Sequence, residues 1–184
     1  DRGRFPREKV CGEALSRLAM AWLRKLGLEE RVREAAHPVT EILAFSPSQV
    51  GFTIQGPFLT LRRLVLDALL AERAASLGAL FCHGRAQDVM AAPDGTVMAS
   101  VAGCGKPLRA RIGVLATGAA VGLASRIGLV TDPRPNAVAV RCHVRSSFPI
   151  AQLVVFYLPS LIPGYGWIFP MGKGEYNVGC VAFC

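Results

Sequence analysis

Three aromatic side chains recur at alternate positions near the carboxyl end, Tyr165, Trp167 and Phe169, with Pro170 directly after them. On an extended strand alternate residues share a face, so the three rings project to one side. Such a face is a wall for a planar ring or an apolar chain, although a plain core strand has the same pattern. Near the other end Arg4, Arg7 and Lys9 crowd ahead of Cys11-Gly12-Glu13 and a helix-like run. Cations beside the free N–H groups of a helix start make an anion site. Arg62 and Arg63 open a second helix-like run, where positive charge opposes the helix dipole, which points to an anionic group nearby. A fourth segment, Leu115-Ala116-Thr117-Gly118, ends an apolar run on a glycine, which lets the backbone come close to another group.

Other chemistries find less support. Gly103-Cys104-Gly105-Lys106 lacks the glycine spacing and the Ser/Thr of a phosphate-binding loop. His37, His83 and His143 show no carboxylate pattern of a catalytic triad, and His83 and His143 read as strand residues. The six cysteines form no CxxC pair and no zinc spacing, so no metal site is expected and they read as buried reduced thiols of a cytoplasmic protein. No catalytic residue is assigned.

The elements that must hold these residues follow from composition and periodicity. The chain has 184 residues, 52% hydrophobic and 18% charged, which supports a buried core rather than disorder. Its net charge of +8 is scattered, and its densest basic cluster (Lys106, Arg109, Arg111) has no interleaved aromatics. That excludes a nucleic-acid surface and suits an anionic small molecule or an acidic membrane surface, with peripheral contact allowed. The uncharged runs 42–61 and 146–172 are broken by prolines, so neither spans a membrane. No apolar leader opens the chain.

Residues 13–35 are predicted helical on Leu15, Leu18, Ala19, Trp22, Leu23 and Leu26, with the start between Gly12 and Leu15 and a stop at Gly27. Strands are predicted at 40–46, 50–54 and 58–61, then a helix over 62–77 with Leu66, Leu69, Leu70, Ala74 and Leu77 inward. A short strand at 79–83 and a β-meander over 85–116 follow, with Ile112–Ala116 as a buried strand. Further strands are expected at 137–145, 151–158, 165–169 and 175–183. The fold class is α/β of the α+β kind.

Four segments, in order, resemble the FAD-dependent geranylgeranyl reductase family, whose fold is shared with aromatic hydroxylases. They are Phe5-Pro6-Arg7-Glu8-Lys9-Val10-Cys11-Gly12, Arg63 with Asp67, Ala116-Thr117-Gly118, and Tyr165-x-Trp167-x-Phe169-Pro170 followed by Asn177-Val178-Gly179. The resemblance implies a partial FAD-binding Rossmann-type domain over 1–36 and 61–125, and an antiparallel substrate-binding sheet over 37–60 and 126–184. It implies FAD contacts at Asp1, Arg7, Lys9, Cys11, Gly12, Arg63, Thr117 and Gly118. Substrate contacts are implied at Tyr165, Trp167, Phe169 and Pro170. The Gly-x-Gly-x-x-Gly turn and the later Gly-Asp-Ala segment of that family have no counterpart here, so the chain is expected to be a central part of a longer flavoenzyme.

The activity implied is reduction of C=C bonds of a polyprenyl or similar apolar substrate, with NAD(P)H or another reductant as electron donor. Two alternatives stay open: a flavin-dependent monooxygenase or halogenase of the same fold, and a non-catalytic piece that binds no FAD. Self-association through an exposed sheet edge is also expected.

Overall fold

The alternating residues of the carboxyl half become strands of one sheet, and the helical runs pack at its far end. The computed structural model describes every residue from Asp1 to Cys184. In chain order the elements are β1 (Ala14–Leu15), α1 (Arg17–Lys25), α2 (Glu29–Ala35), β2 (His37–Phe45), β3 (Gly51–Thr60), α3 (Arg63–Ser76), β4 (Ala86–Ala91) and β5 (Val97–Val101). They continue with β6 (Leu108–Ala110), α4 (Gly122–Arg126), β7 (Ala137–Arg145), β8 (Leu153–Phe156), β9 (Tyr165–Gly172) and β10 (Glu175–Phe183). Two compact units result, one of Phe5–Ala79 with Asn136–Cys184, the other of Asp1–Arg4 with Leu80–Pro135. These limits differ from those drawn from the sequence, because α1–α3 share a core with the sheet strands.

In the larger unit seven strands form one sheet in the order β1-β3-β2-β8-β9-β10-β7. All neighbours are antiparallel except β2 and β8, which run parallel from Ile42↔Leu153 to Phe45↔Phe156. The α+β class expected from the sequence therefore holds. The core joins Leu15, Met20, Leu23, Leu28, Val32, Leu59, Leu61, Leu66 and Leu69. Leu28 and Val32 are 1% and 0% exposed, and burying each contributes about 1.5–3 kcal/mol.

Several expectations are corrected here. Helix α1 begins at Arg17, because Ser16 caps it through Oγ and the Ala19 amide (3.3 Å) and because Ala14 and Leu15 pair with β3. Its apolar residues divide: Leu23 is buried, whereas Leu18, Trp22 and Leu26 are exposed. The two strands predicted around Pro57 are one. The pairing steps from Val39↔Phe58 to Glu41↔Gln55, and the resulting bulge takes in Gly56 and Pro57, where no ladder N–H is needed. Leu77 lies past the end of α3 and is exposed rather than inward.

The smaller unit holds the antiparallel meander β4-β5-β6, as expected, and the short α4. Its Asp94-Gly95 turn is tied by Thr96, whose amide and hydroxyl both donate to Asp94 Oδ1 (3.1 and 2.7 Å), and Arg109 pairs with the same carboxylate. The hydrogen bonds from Thr96, then that of Arg109, lower the Asp94 pKa. Residues 79–83 form no strand. Ile112–Ala116 is not one either: β6 stops at Ala110, no strand of the chain pairs with the run, and Ile112 and Val114 are 79% and 84% exposed. A central strand needs neighbours on its edges, which this run lacks.

The cysteines are all free, but none is buried. Cys82, Cys104, Cys142 and Cys184 are exposed, and Cys11 and Cys180 are half-buried. No helix is long and apolar enough to cross a membrane.

Candidate functional site

Strand β9 carries its alternate residues to one face, and the rings form a ladder. Tyr157 stands 6.0 Å from Tyr165, Tyr165 6.0 Å from Trp167, and Trp167 6.2 Å from Phe169, centroid to centroid. Tyr157 and Tyr165 make the exposed end of the ladder, and Trp167 is buried further in. The indole crosses the neighbouring strand over Gly179, where an added Cβ would meet Trp167 and stand 2.5 Å from the Val140 carbonyl. Only a glycine leaves that room. Pro170 is buried at the other end, and its carbonyl accepts from the Thr60 hydroxyl at 2.5 Å.

The Cys11-Gly12-Glu13 turn is fastened to this wall. A Cβ on Gly12 would lie 3.1 Å from the Phe169 ring and 3.6 Å from the Trp167 indole, so the turn packs directly on both. Asn177, fully buried on β10, connects the two parts. Its Oδ1 accepts from Trp167 Nε1 (2.9 Å), and its Nδ2 donates to the Cys11 carbonyl (2.8 Å) and to Glu13 Oε2 (2.9 Å).

Glu13 is 2% exposed and adopts φ 67, a conformation rare outside glycine. Four groups point at its carboxylate. Oε2 faces Asn177 Nδ2 and His143 Nε2 (2.7 Å); Oε1 accepts the Arg63 amide (3.0 Å) and lies 3.8 Å from Arg141 Nη2. Chemistry fixes the polarity. Arg141 Nη1 stands 2.9 Å from His143 Nδ1, and a guanidinium can only donate. His143 Nδ1 therefore accepts, and its proton sits on Nε2, donated to Glu13. Arg141 also holds Glu8 Oε2 (3.0 Å) and the Lys9 carbonyl (3.3 Å), while its buried Nε has no acceptor.

The anion expected at the start of α3 is supplied by the chain itself. Glu13 caps the Arg63 amide, and the Arg63 side chain grips Asp67 in two-point fashion (2.6 and 3.1 Å). Burial opposes the charge of Arg63, yet its hydrogen bonds to Asp67 and to the Cys11 thiol prevail and raise its pKa. Arg7 Nη2 approaches the same Asp67 at 3.9 Å and lies over the Phe5 ring. The helix start expected at Gly12–Leu15 falls instead at Arg17, where Ser16 caps the Ala19 amide.

Of the residues expected to meet a cofactor, Arg7, Lys9, Cys11, Gly12 and Arg63 belong to the larger unit, as do the four wall residues. Asp1, Thr117 and Gly118 belong to the smaller one. There the Asp1 carboxylate accepts from the Gly3 amide (2.7 Å), and Gly118 takes φ 59 with open space around it. Glu13, Arg141, His143 and Tyr157 were not singled out as site residues. The expectation that His143 has no carboxylate partner is overturned by Glu13, which is distant in sequence. One signal was present: Arg141 and His143 alternate with Val138, Val140, Cys142 and Val144 along β7, which marks a polar face.

Comparison with known proteins agrees with this geometry. No family model matches the chain. It is 30% identical to the menaquinone reductase of Mycolicibacterium smegmatis over 97% of the chain and 47% of that protein. It is also 30% identical to digeranylgeranylglycerophospholipid reductase 2 of Methanopyrus kandleri, over 93% of the chain and 44% of the relative. Among solved structures, a geranylgeranyl bacteriochlorophyll reductase-like protein from Thermoplasma acidophilum superposes with a TM-score of 0.78 at 21% identity, over 99% of the chain and 49% of that structure. The flavin-dependent halogenase CmlS gives 0.77 at 20% identity, over 100% and 36%. The fold is that of the FAD-dependent oxidoreductases. Within that class the chain belongs to the geranylgeranyl reductase-like family. It spans about half the length of the curated relatives it matches.

Proposed function

We propose that the chain forms the substrate-facing wall and part of the flavin site of a reductase that saturates C=C bonds of a polyprenyl or similar apolar compound. The observation that carries this reading is the ring ladder from Tyr157 to Phe169 with the Cys11-Gly12 turn packed on its inner end. Tyr165, Trp167, Phe169 and Pro170 would hold the apolar chain by contact area alone, since the Trp167 N–H is already taken by Asn177.

The residues present suit a flavin. Gly12 brings bare backbone to flat rings, and the Arg7 and Arg63 guanidiniums both approach Asp67, with Arg63 also bonded to the Cys11 thiol, so cationic groups lie beside the turn. Arg7, Lys9, Cys11, Gly12 and Arg63 are the contacts proposed. Asp1, Thr117 and Gly118 enter through the family resemblance alone. When bound, FAD supplies the hydride, and NAD(P)H or another reductant restores it.

The test is the visible absorbance of the purified chain after FAD is added and free flavin is removed by gel filtration. A retained flavin spectrum, bleached by a reductant and restored by a prenyl alcohol with loss of its double bond, supports the reading. A retained flavin that a prenyl alcohol never reoxidises rejects the substrate, and no retained flavin rejects cofactor binding by this chain.

A further inference from the structure

We propose that Glu13 is a positioning residue: its buried carboxylate sets where the Cys11-Gly12 turn lies against Trp167 and Phe169. The inference rests on reading that turn and wall as the ligand-facing site. Three observations carry it. First, Glu13 is 2% exposed and sits at φ 67, so the backbone accepts strain to bring the carboxylate inward. Second, the partners come from three separate elements. Asn177 is on β10, His143 and Arg141 are on β7, and the Arg63 amide opens α3. Third, Asn177 relays the carboxylate to both halves of the site, holding the Cys11 carbonyl with the same amide nitrogen and the Trp167 indole with its oxygen.

The polarity of this cluster leaves no slack. Donors face both carboxylate oxygens. In Glu13→Gln one oxygen becomes an NH2, so at least one N–H then faces another. His143 cannot adapt by moving its proton to Nδ1, because Arg141 Nη1 already donates there. The turn would be pushed off the rings while the helical core, built from other residues, stays in place.

The experiment uses the whole chain in a Trp22→Phe background, which leaves Trp167 as the one tryptophan. Iodoacetamide labelling, followed cysteine by cysteine by mass spectrometry, compares Cys11 with Cys180, which is also half-buried. Glu13→Gln is expected to speed Cys11 labelling about tenfold, the factor that one lost hydrogen bond to a charged group supplies, with Cys180 unchanged. Trp167 emission should shift to the red and become more open to acrylamide. A folded variant with unchanged Cys11 labelling and Trp167 emission overturns the proposal, as does an equal rise at Cys11 and Cys180. If Glu13→Gln fails to fold, His143→Leu decides, since it takes only one of the four donors from the Glu13 carboxylate, together with the acceptor of Arg141 Nη1; Cys11 labelling must still rise, by less, or the proposal falls. No flavin or substrate is added, so the outcome is independent of whether the chain reduces prenyl compounds.

Discussion

Asn177 uses its whole side chain on the protein: one acceptor to Trp167, and two donors to Cys11 and Glu13. Asn177→Asp would replace that donor by an oxygen facing the Glu13 carboxylate. The expected loss is about 3 kcal/mol, the scale for an uncompensated buried charge, read from the urea midpoint. A surface acid behaves otherwise. Hydrogen bonds from Arg24 and then Arg33, with burial opposing, hold Glu29 at a pKa of about 2. Its folded pKa lies below the unfolded one, so its contribution is complete above the normal glutamate range of about 4.3. That contribution fades as pH falls towards the folded value. Glu29→Gln should therefore lower stability at neutral pH, flatten the profile in this acid window and cost least near the folded value, as urea titrations at stepped pH would show. At this scale the ring alternation of Tyr165, Trp167 and Phe169 was legible because it obeys a strand period. The Glu13–His143 contact was not, because strand pairing brings it together across most of the sequence.

Helices α1 to α3 hold together through side chains that the sequence pattern only half identifies. Leu28 lies between α1 and α2, outside the run used to predict the first helix, yet it is 1% exposed. Leu28→Ala should cost about 2–5 kcal/mol, whereas Leu77→Ala, at an exposed helix end, should stay within about 0.5 kcal/mol; thermal melts of both distinguish them. Strand β7 falls where the alternation put it, at residues 137–145, and β10 likewise at 175–183. Legibility failed where a local signal met a tertiary answer. Pro57 reads as a breaker, but a bulge absorbs it, and Ile112–Ala116 reads as a buried strand with no partner strand to bury it.

At the scale of the molecule the class was legible, since helices, meander and antiparallel strands all appear in their expected order. The unit boundaries were less so, because periodicity marks elements and not what they pack against. The exposed Ile112–Ala116 run and the unpaired outer edge of β7 offer backbone groups to another chain. Self-association is therefore expected, and light scattering that gives a monomer across a concentration series would refute it. The seam between β2 and β8 has a different implication. Hairpin β2–β3 and the β8–β9–β10–β7 group can each form from nearby residues, but the parallel seam joins segments that emerge far apart during synthesis. Closing so wide a loop is the slow part of such topologies. A ribosome-bound chain that has reached only α3 should already hold its helical core, while the ring wall waits for the last strands. Arrest at successive lengths should accordingly show protease resistance spreading from the amino-terminal helices first, and the Trp167 environment becoming native only at the end.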